Sequence, residues 1–267
     1  MNNSAALIEE NRFLWSLKTP YHVVSDFYNT SAFLRGDSTL SALEVAQVGN
    51  VQDQMLLHLQ CHFGLDTLSW VRLGARGTGL DFSREAIQEA VKLARTASID
   101  CTFRCADVLE RQLDWESKFD RVVTSFGVIC WLPNLVEWGK NIEYYLRPGG
   151  QFSLLEFHPL TNLFSPDVAP TGRYSNAHAP TSRTRNGTYA NRAAPIQYTE
   201  HVWGHSIGEI VSALLDAGLT LKTLTEQTTS PVPFHPDMVS TSDGWTLEHA
   251  EERLPVLLSL IAEKPLA

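Results

Sequence analysis

Three side chains stand where successive strands of this chain would end: Gln60, Asp81 and Asp107. Gln60 closes the apolar run Leu56-Leu57-His58-Leu59. It opens the loop Gln60-Cys61-His62-Phe63-Gly64, after which Leu65-Asp66-Thr67 reads as the start of a helix. Asp81 sits in Gly79-Leu80-Asp81-Phe82-Ser83, a second strand end. An acid at that tip can accept both ribose hydroxyls of a nucleoside lying across the sheet edge. Such bonds to a charged acceptor contribute roughly 1.5–3 kcal/mol each. Asp107 follows a third strand and could accept from the exocyclic amine of adenine while Val108 packs on the ring; its alternative role is that of a turn residue.

The glycines narrow the nucleoside. A dinucleotide site needs G-x-G-x-x-G, so that backbone can press on a pyrophosphate, and a P-loop needs G-x-x-x-x-G-K-[ST]. The loop here has the single glycine Gly64 and no lysine, so it is poorly equipped for phosphate. With the ribose-binding acid, it suits a phosphate-free nucleoside such as S-adenosylmethionine. At these residues the sequence resembles the class I S-adenosylmethionine-dependent methyltransferases. The stretch Leu56–Trp70, LLHLQCHFGLDTLSW, is similar to a bacterial small-molecule-type subgroup with a variant first loop. Thr19–Tyr28, Glu156-Phe157-His158-Pro159 and His205–Ile210 share that likeness. The departure from the usual acid-and-glycine motif is Gln60 at the acidic position, with Cys61 and His62 beside or at glycine positions.

The resemblance implies an α/β fold: a Rossmann-like seven-stranded, mostly parallel sheet with the last strand antiparallel, helices on both faces, an N-terminal helical lid and an insertion after strand five. It implies S-adenosyl-L-methionine as cofactor, S-adenosyl-L-homocysteine as product, and a cofactor set of Tyr28, Gln60, Gly64, Asp81, Phe82, Asp107, Val108 and Ser125. The expected organisation is one methyltransferase domain over 1–267, with 1–50 as lid, 51–157 as cofactor core, 158–204 as a substrate-covering insertion and 205–267 completing the sheet.

The residue pattern supplies the elements. Residues 1–50 read as mostly helical, with Pro20 stopping the first segment and Ser38 capping a short helix through Ala46. This region is either half of a lid or a core-packing helix pair. From residue 55 strands and helices alternate, as in a parallel sheet: strands at Leu56–Gln60, Gly77–Leu80, Asp100–Cys105, Phe119–Phe126 and Gln151–Phe157. Helices fall at about 66–73, after Ser83, and at about Leu135–Leu146, ended by Pro148-Gly149-Gly150. Residues 158–204 are too long for a plain connection. They read as a cover over the substrate, with an antiparallel excursion through Gly187-Thr188-Tyr189 and Tyr198–Trp203, or else as a surface loop. A helix to Gly218, a sixth strand at Leu219–Leu224 and a seventh at Pro255–Ala262 complete the series.

Methyl transfer is an in-line displacement that needs a base only when the nucleophile must lose a proton. Candidate bases or anchors are Tyr21, His158 and His178, with His22 beside them; His58 reads as a satisfied core residue and His62 as shaping the loop. Trp15, Tyr21, Phe126, Trp131, Tyr174 and Trp203 could wall a pocket for a flat acceptor. The favoured acceptor is small, aromatic or heterocyclic and natural-product-like, for example indole-containing, as in secondary metabolism. Ser125-Phe126-Gly127-Val128 in place of N/D-P-P-Y/F disfavours adenine and glutamine amides.

A net charge of −9 disfavours a nucleic-acid track, and Arg173, Arg183, Arg185 and Arg192 read as a solvated surface. No apolar run reaches membrane-spanning length, which is roughly 18–20 residues. Four cysteines without a C-x-x-C pair suit reduced thiols. The expectation is a cytoplasmic enzyme, monomer or homodimer, with a small-molecule partner, no nucleic acid, no membrane and no metal. The competing readings are a non-catalytic S-adenosylmethionine-binding sensor or partner, a protein or peptide methyltransferase, and a nicotinamide oxidoreductase.

Overall fold

The computed structural model describes residues 4–163, 174–249 and 251–266. In chain order the elements are α1 (Ser4–Val23), α2 (Thr30–Arg35), α3 (Ala42–Val48), β1 (Met55–Leu59), α4 (Leu65–Arg72), β2 (Arg76–Asp81), α5 (Arg84–Ala97), β3 (Thr102–Cys105), β4 (Phe119–Thr124), α6 (Leu135–Tyr145) and β5 (Leu146–Phe157). A hairpin of β6 (Thr181–Asn186) and β7 (Gln197–Val202) follows, then α7 (Ile207–Asp216) and β8 (Thr220–Gln227). Two small pairs, β9 (Val239–Thr241) with β10 (Gly244–Thr246) and β11 (Glu248–His249) with β12 (Glu252–Arg253), precede β13 (Leu257–Glu263).

Seven strands form one sheet in the order β3-β2-β1-β4-β5-β13-β8. The pairs from β3 to β5 are parallel, and β13 lies antiparallel between β5 and β8. Leu56, Leu57 and Leu59 of β1 are fully buried, as a central strand covered on both faces requires. The helices start where their caps permit. Ser83 accepts from Ala86 N at the head of α5, and Ser206 with Glu209 forms a capping box on α7. Gly139 lets α6 meet α7: a Cβ there would stand 2.4 Å from the Ala213 carbonyl oxygen.

Local expectations change at four places. Helix α1 runs through Pro20 to Val23, because one lost backbone bond near the end is outweighed by the burial of Thr19 and His22. Ser41, not Ser38, caps α3, since only Ser41 has a glutamate three residues on to close a capping box. Pro148-Gly149-Gly150 lies inside β5, which starts at Leu146; Gly149 N donates to Lys264 O and Lys264 N to Gly150 O. In the insertion, β6 and β7 pair from Thr181↔Val202 to Asn186↔Gln197, which leaves Gly187-Thr188-Tyr189 in the connecting loop. The part of the insertion at 164–173, Arg173 included, lies outside the described residues.

Helix α1 packs against α5 and β7. Asn11 takes the place of a strand partner: its Nδ2 donates to His201 O at 2.7 Å and its Oδ1 accepts from His201 N at 3.0 Å. Glu10 holds the His201 ring at 2.7 Å. The N-terminal helix and the insertion hairpin are thereby tied together, over the edge at which the parallel strands end.

Candidate active site

The loop after β1 is built from residues in unfavourable backbone conformations. Gln60 (φ 55°), His62 (φ 50°) and Gly64 (φ 82°) are all left-handed, at about 1–2 kcal/mol for each residue with a Cβ. Gly64 has a second reason to lack one, since a Cβ would stand 2.7 Å from the Phe103 ring. The conformation is held by Cys61 N on Leu80 O (3.0 Å), Gly64 N on Cys61 O (3.0 Å) and His62 N on Asp81 Oδ2 (2.8 Å). Strain fixed this firmly by its surroundings is commonly found at functional sites.

Asp81 is 7% exposed, and its Oδ1 accepts from Ser83 N at 2.8 Å. Burial raises its carboxyl to about 6, while the amides of Ser83, His62 and Phe82 draw it back. A carboxylate has about four acceptor sites, so capacity remains for ribose hydroxyls.

Beside it, His22 of α1 shares a hydrogen bond with His62, Nδ1 to Nε2, at 2.9 Å. Burial, then the charge of Lys18, pushes His22 down to about 3; burial, His22 and Lys18 push His62 well below its ordinary value. Both rings are therefore neutral at physiological pH. Whichever tautomers they adopt, one bond between two neutral imidazoles leaves one outer N–H donor and one outer acceptor. Those outer atoms, His22 Nε2 and His62 Nδ1, are buried without partners, and so is Gln60 Oε1. Gln60 Nε2 is already committed to Val128 O at 2.9 Å. Unsatisfied buried groups cost about 1–3 kcal/mol each, so three together mark a place where a polar ligand belongs. The amino-acid end of S-adenosylmethionine fits: Gln60 Oε1 would accept from its ammonium and the outer imidazole N–H would donate to its carboxylate.

Aromatic rings close around this pair. Trp15 stands 5.2 Å from His62 and 5.2 Å from Trp131, Tyr28 stands 4.8 Å from Phe63, and Tyr189 stands 4.7 Å from His22. The hydroxyls of Tyr28 and Tyr189 are hydrogen-bonded, which joins the N-terminal segment to the hairpin loop. At the other end, Arg12 lies over the Phe82 ring at 5.8 Å and faces Asp107 Oδ2 at 3.6 Å. A cleft of about 610 Å³ opens there, lined by Arg12, Phe13, Tyr21, Phe82, Arg84 and Cys105.

Not every expected residue comes to this site. Val108 is buried in the main core, so Phe82 is the residue that presents a ring face. Asp107 fills the turn role, its Oδ1 accepting from Leu109 N at 2.9 Å, with Oδ2 turned to Arg12. Ser125 lies at the β4 end, its Oγ 3.5 Å from His58 Nε2; His58 is buried and bonded to Thr67 Oγ1 at 2.9 Å. His158 has both nitrogens engaged: Nδ1 accepts from Leu160 N (3.1 Å) and Nε2 meets Glu226 Oε1 (2.7 Å). That leaves no lone pair for a base, and the expectation of one is corrected to a structural tie. His178 is exposed in a turn, and Tyr21 faces the outer cleft instead of the histidine pair. Of the six aromatics named from the sequence, Trp15 and Trp131 meet. Trp203 is buried, Phe126 stacks toward Phe157, and Tyr174 lies at the surface.

Sequence reasoning missed Tyr189, Lys18 and the work of Glu156. The buried Glu156 accepts from Val128 N (2.9 Å), Ile129 N (3.1 Å), Phe157 N (2.8 Å) and Gly127 N, and so clamps the loop after β4. An acid at the end of an apolar strand was the available signal.

Sheet order and the antiparallel strand beside β5 match the Rossmann-like methyltransferase fold. A family model described as "Methyltransferase domain" matches residues 56–150. A ubiquinone biosynthesis O-methyltransferase of Alkalilimnicola ehrlichii is 30% identical over 124 residues, 45% of this chain and 50% of that protein. The chain thus spans about half the length of this curated relative. Among solved structures, the 4+2 cyclase SpnF superposes with a TM-score of 0.62 at 14% identity, covering 97% of each chain. A Listeria monocytogenes protein described as a "putative S-adenosylmethionine dependent methyltransferase" gives 0.57 at 16% identity over 88% of this chain and 97% of that one. Geranyl diphosphate C-methyltransferase from Streptomyces coelicolor, solved with S-adenosyl-L-homocysteine, gives 0.54 at 15% identity over 88% and 79%. At such identities these structures speak for the fold alone.

Proposed function

We propose that the protein is an S-adenosylmethionine-dependent methyltransferase acting on a small aromatic or heterocyclic acceptor. The observation that carries this reading is the trio of unpartnered buried atoms, Gln60 Oε1, His22 Nε2 and His62 Nδ1, set one loop away from Asp81. When bound, the cofactor supplies an electrophilic methyl group on a sulfonium. Gln60 and the histidine pair hold its amino-acid end, Asp81 its ribose and Phe82 its base. Trp15, Trp131, Tyr28 and Tyr189 exclude water and align a flat acceptor. Orientation of this kind can supply roughly 7–11 kcal/mol.

The organisation we propose has residues 1–50 as lid, 51–157 as cofactor core, 158–204 as acceptor cover and 205–267 completing the sheet. The acidic balance supports a small molecule over nucleic acid, and four cysteines without a C-x-x-C pair support a cytoplasmic setting; the protein is proposed to act as a monomer or homodimer. Among the described residues there is no cluster that could hold a metal and no helix long and apolar enough to cross a membrane. A second reading, cofactor binding without methyl transfer, is favoured by the likeness to a cyclase, since one fold hosts several chemistries. Incubation with methyl-labelled S-adenosylmethionine and a panel of hydroxylated and amino aromatics tests the choice. Labelled product supports the transferase; tight cofactor binding with no product from any acceptor supports the second reading.

A further inference from the structure

Lys18 has no part in that account, yet it is 2% exposed on the inward face of α1, between Trp15 and His22. Its ammonium nitrogen faces three rings, 4.4 Å from the centroid of Tyr198, 4.9 Å from Trp15 and 5.5 Å from Trp131. Its carboxylate partner Glu200 stands at 3.9 Å, beyond hydrogen-bonding range, with its other oxygen taken by Arg185 Nε at 3.0 Å. A buried ammonium is costly unless paired and hydrogen-bonded, and ring faces offset only part of that, about 0.5–2 kcal/mol. An apolar residue of similar volume would fill the space without the cost. The lysine also borders the reaction site. Trp15 touches His62 of the cofactor loop, and Trp131 Nε1 donates to Gly127 O, just past β4, at 2.7 Å.

We propose that Lys18 takes the proton of the methyl acceptor, and that the acceptor is an acidic hydroxyl on a flat ring, a phenol or enol. This rests on the methyltransferase reading and names its substrate class. The hydroxyl proton passes to Lys18 in its neutral amine form, which the enzyme populates as pH approaches 8, and the freed oxygen pair forms the O–CH3 bond. The S–CH3 bond breaks with its pair left on sulfur, and the Lys18 ammonium returns its proton to water. One positive charge is present throughout, first on sulfur and then on Lys18. Burial lowers the Lys18 amine to about 8, with Glu200 and Cys130 opposing and Arg185 adding to the fall. An amine of that basicity can take a phenolic proton but not that of an aliphatic alcohol. The groups facing it are Glu200 and Tyr198 of β7, Arg185 of β6, Cys130 after β4, and the neutral His22 and His62.

The probe is 4-nitrophenol, whose anion absorbs at longer wavelength than the neutral form. It is titrated into protein saturated with S-adenosylhomocysteine, at a pH below the phenol's own pKa. The bound phenol is expected to show the anion band. Lys18→Met is expected to reduce that band about tenfold or more, with homocysteine-nucleoside affinity within about threefold of wild type. Glu200→Gln keeps the lysine, and so serves even where Lys18→Met fails to fold. It is expected to weaken the band, because a lysine without its counter-ion is less basic. A neutral bound phenol, an unchanged band in folded Lys18→Met or in Glu200→Gln, or no phenol uptake by protein that binds S-adenosylhomocysteine overturns the proposal. Protein that does not bind S-adenosylhomocysteine overturns the methyltransferase reading, and this proposal with it.

Discussion

The imidazole of His22, on the N-terminal helix, is hydrogen-bonded at 2.9 Å to that of His62, in the loop after the first strand. Two neutral rings couple a segment outside the sheet to the loop proposed to hold the cofactor, and their outer nitrogens are buried without partners.

Truncating either ring therefore weakens the cofactor site twice, by removing one ligand contact and releasing the other ring. His62→Ala and His22→Ala are each expected to lower S-adenosylhomocysteine affinity about 10- to 100-fold, from roughly 1–3 kcal/mol per buried polar group. The double variant should lose less than the sum, because the two residues act as a unit. Calorimetry on the four proteins checks this; additive losses would show the rings to act separately.

Cofactor affinity should depend on pH through Asp81. Burial lifts its carboxyl from 3.8 to about 6, so the folded protein holds this proton more tightly than the unfolded chain. The sign follows: Asp81 makes the apo protein less stable as pH rises from about 4 to about 6, and the ionised form then awaits ribose donors. Affinity for S-adenosylhomocysteine should fall as pH drops below 6, approaching tenfold per unit. Asp81→Asn should bind weakly with a flat profile and, relative to wild type, gain stability as pH rises through that window. Asparagine is a milder test than alanine: its single carbonyl oxygen can still accept from Ser83 N or from His62 N, though not from both, whereas alanine releases both.

Two glycine substitutions separate backbone strain from crowding. Gly36 has φ +118° with open space where a Cβ would point, whereas Gly64 has φ +82° and the Phe103 ring at 2.7 Å. Gly36→Ala should cost about 1 kcal/mol in denaturant unfolding. Gly64→Ala should cost at least about 2 kcal/mol, by adding overpacking to the same strain. Equal losses would contradict the packing argument.

Glu156→Ala should act at a distance from the cofactor. It unpairs the amides of Gly127, Val128, Ile129 and Phe157, and through Val128 O it frees the Gln60 side chain. Stability should fall by about 3 kcal/mol or more, with weaker cofactor binding in the protein that remains folded. Thermal melts with and without S-adenosylhomocysteine measure both effects.

Much of this was legible in local patterns. Leu56–Gly64 and Gly79–Ser83 are short stretches in which strand, loop and acid follow one another, so Gln60, Gly64 and Asp81 could be placed without tertiary information. The seven-stranded, mostly parallel sheet with its last strand antiparallel followed from the resemblance, and the structure bears it out. Local reading failed where two signals competed, as with Ser38 against Ser41, or where burial overrode a breaker, as at Pro20. The proposed acceptor side was not legible, because it is made by distant residues. Tyr28 meets Tyr189 across 161 positions, and Asn11 meets His201 across 190. Nothing in periodicity marks Lys18, which lies on the same helix face as Trp15 and His22 but gains its meaning only when β7 arrives.

The most direct test of the central claim is calorimetric titration of the protein with S-adenosylhomocysteine, with NADH as a parallel control. The account predicts micromolar binding of S-adenosylhomocysteine alone at neutral pH, weakened in Asp81→Asn. Binding of NADH in its place, or S-adenosylhomocysteine affinity unchanged by Asp81→Asn and His62→Ala, would contradict the site built on Gln60, His62 and Asp81.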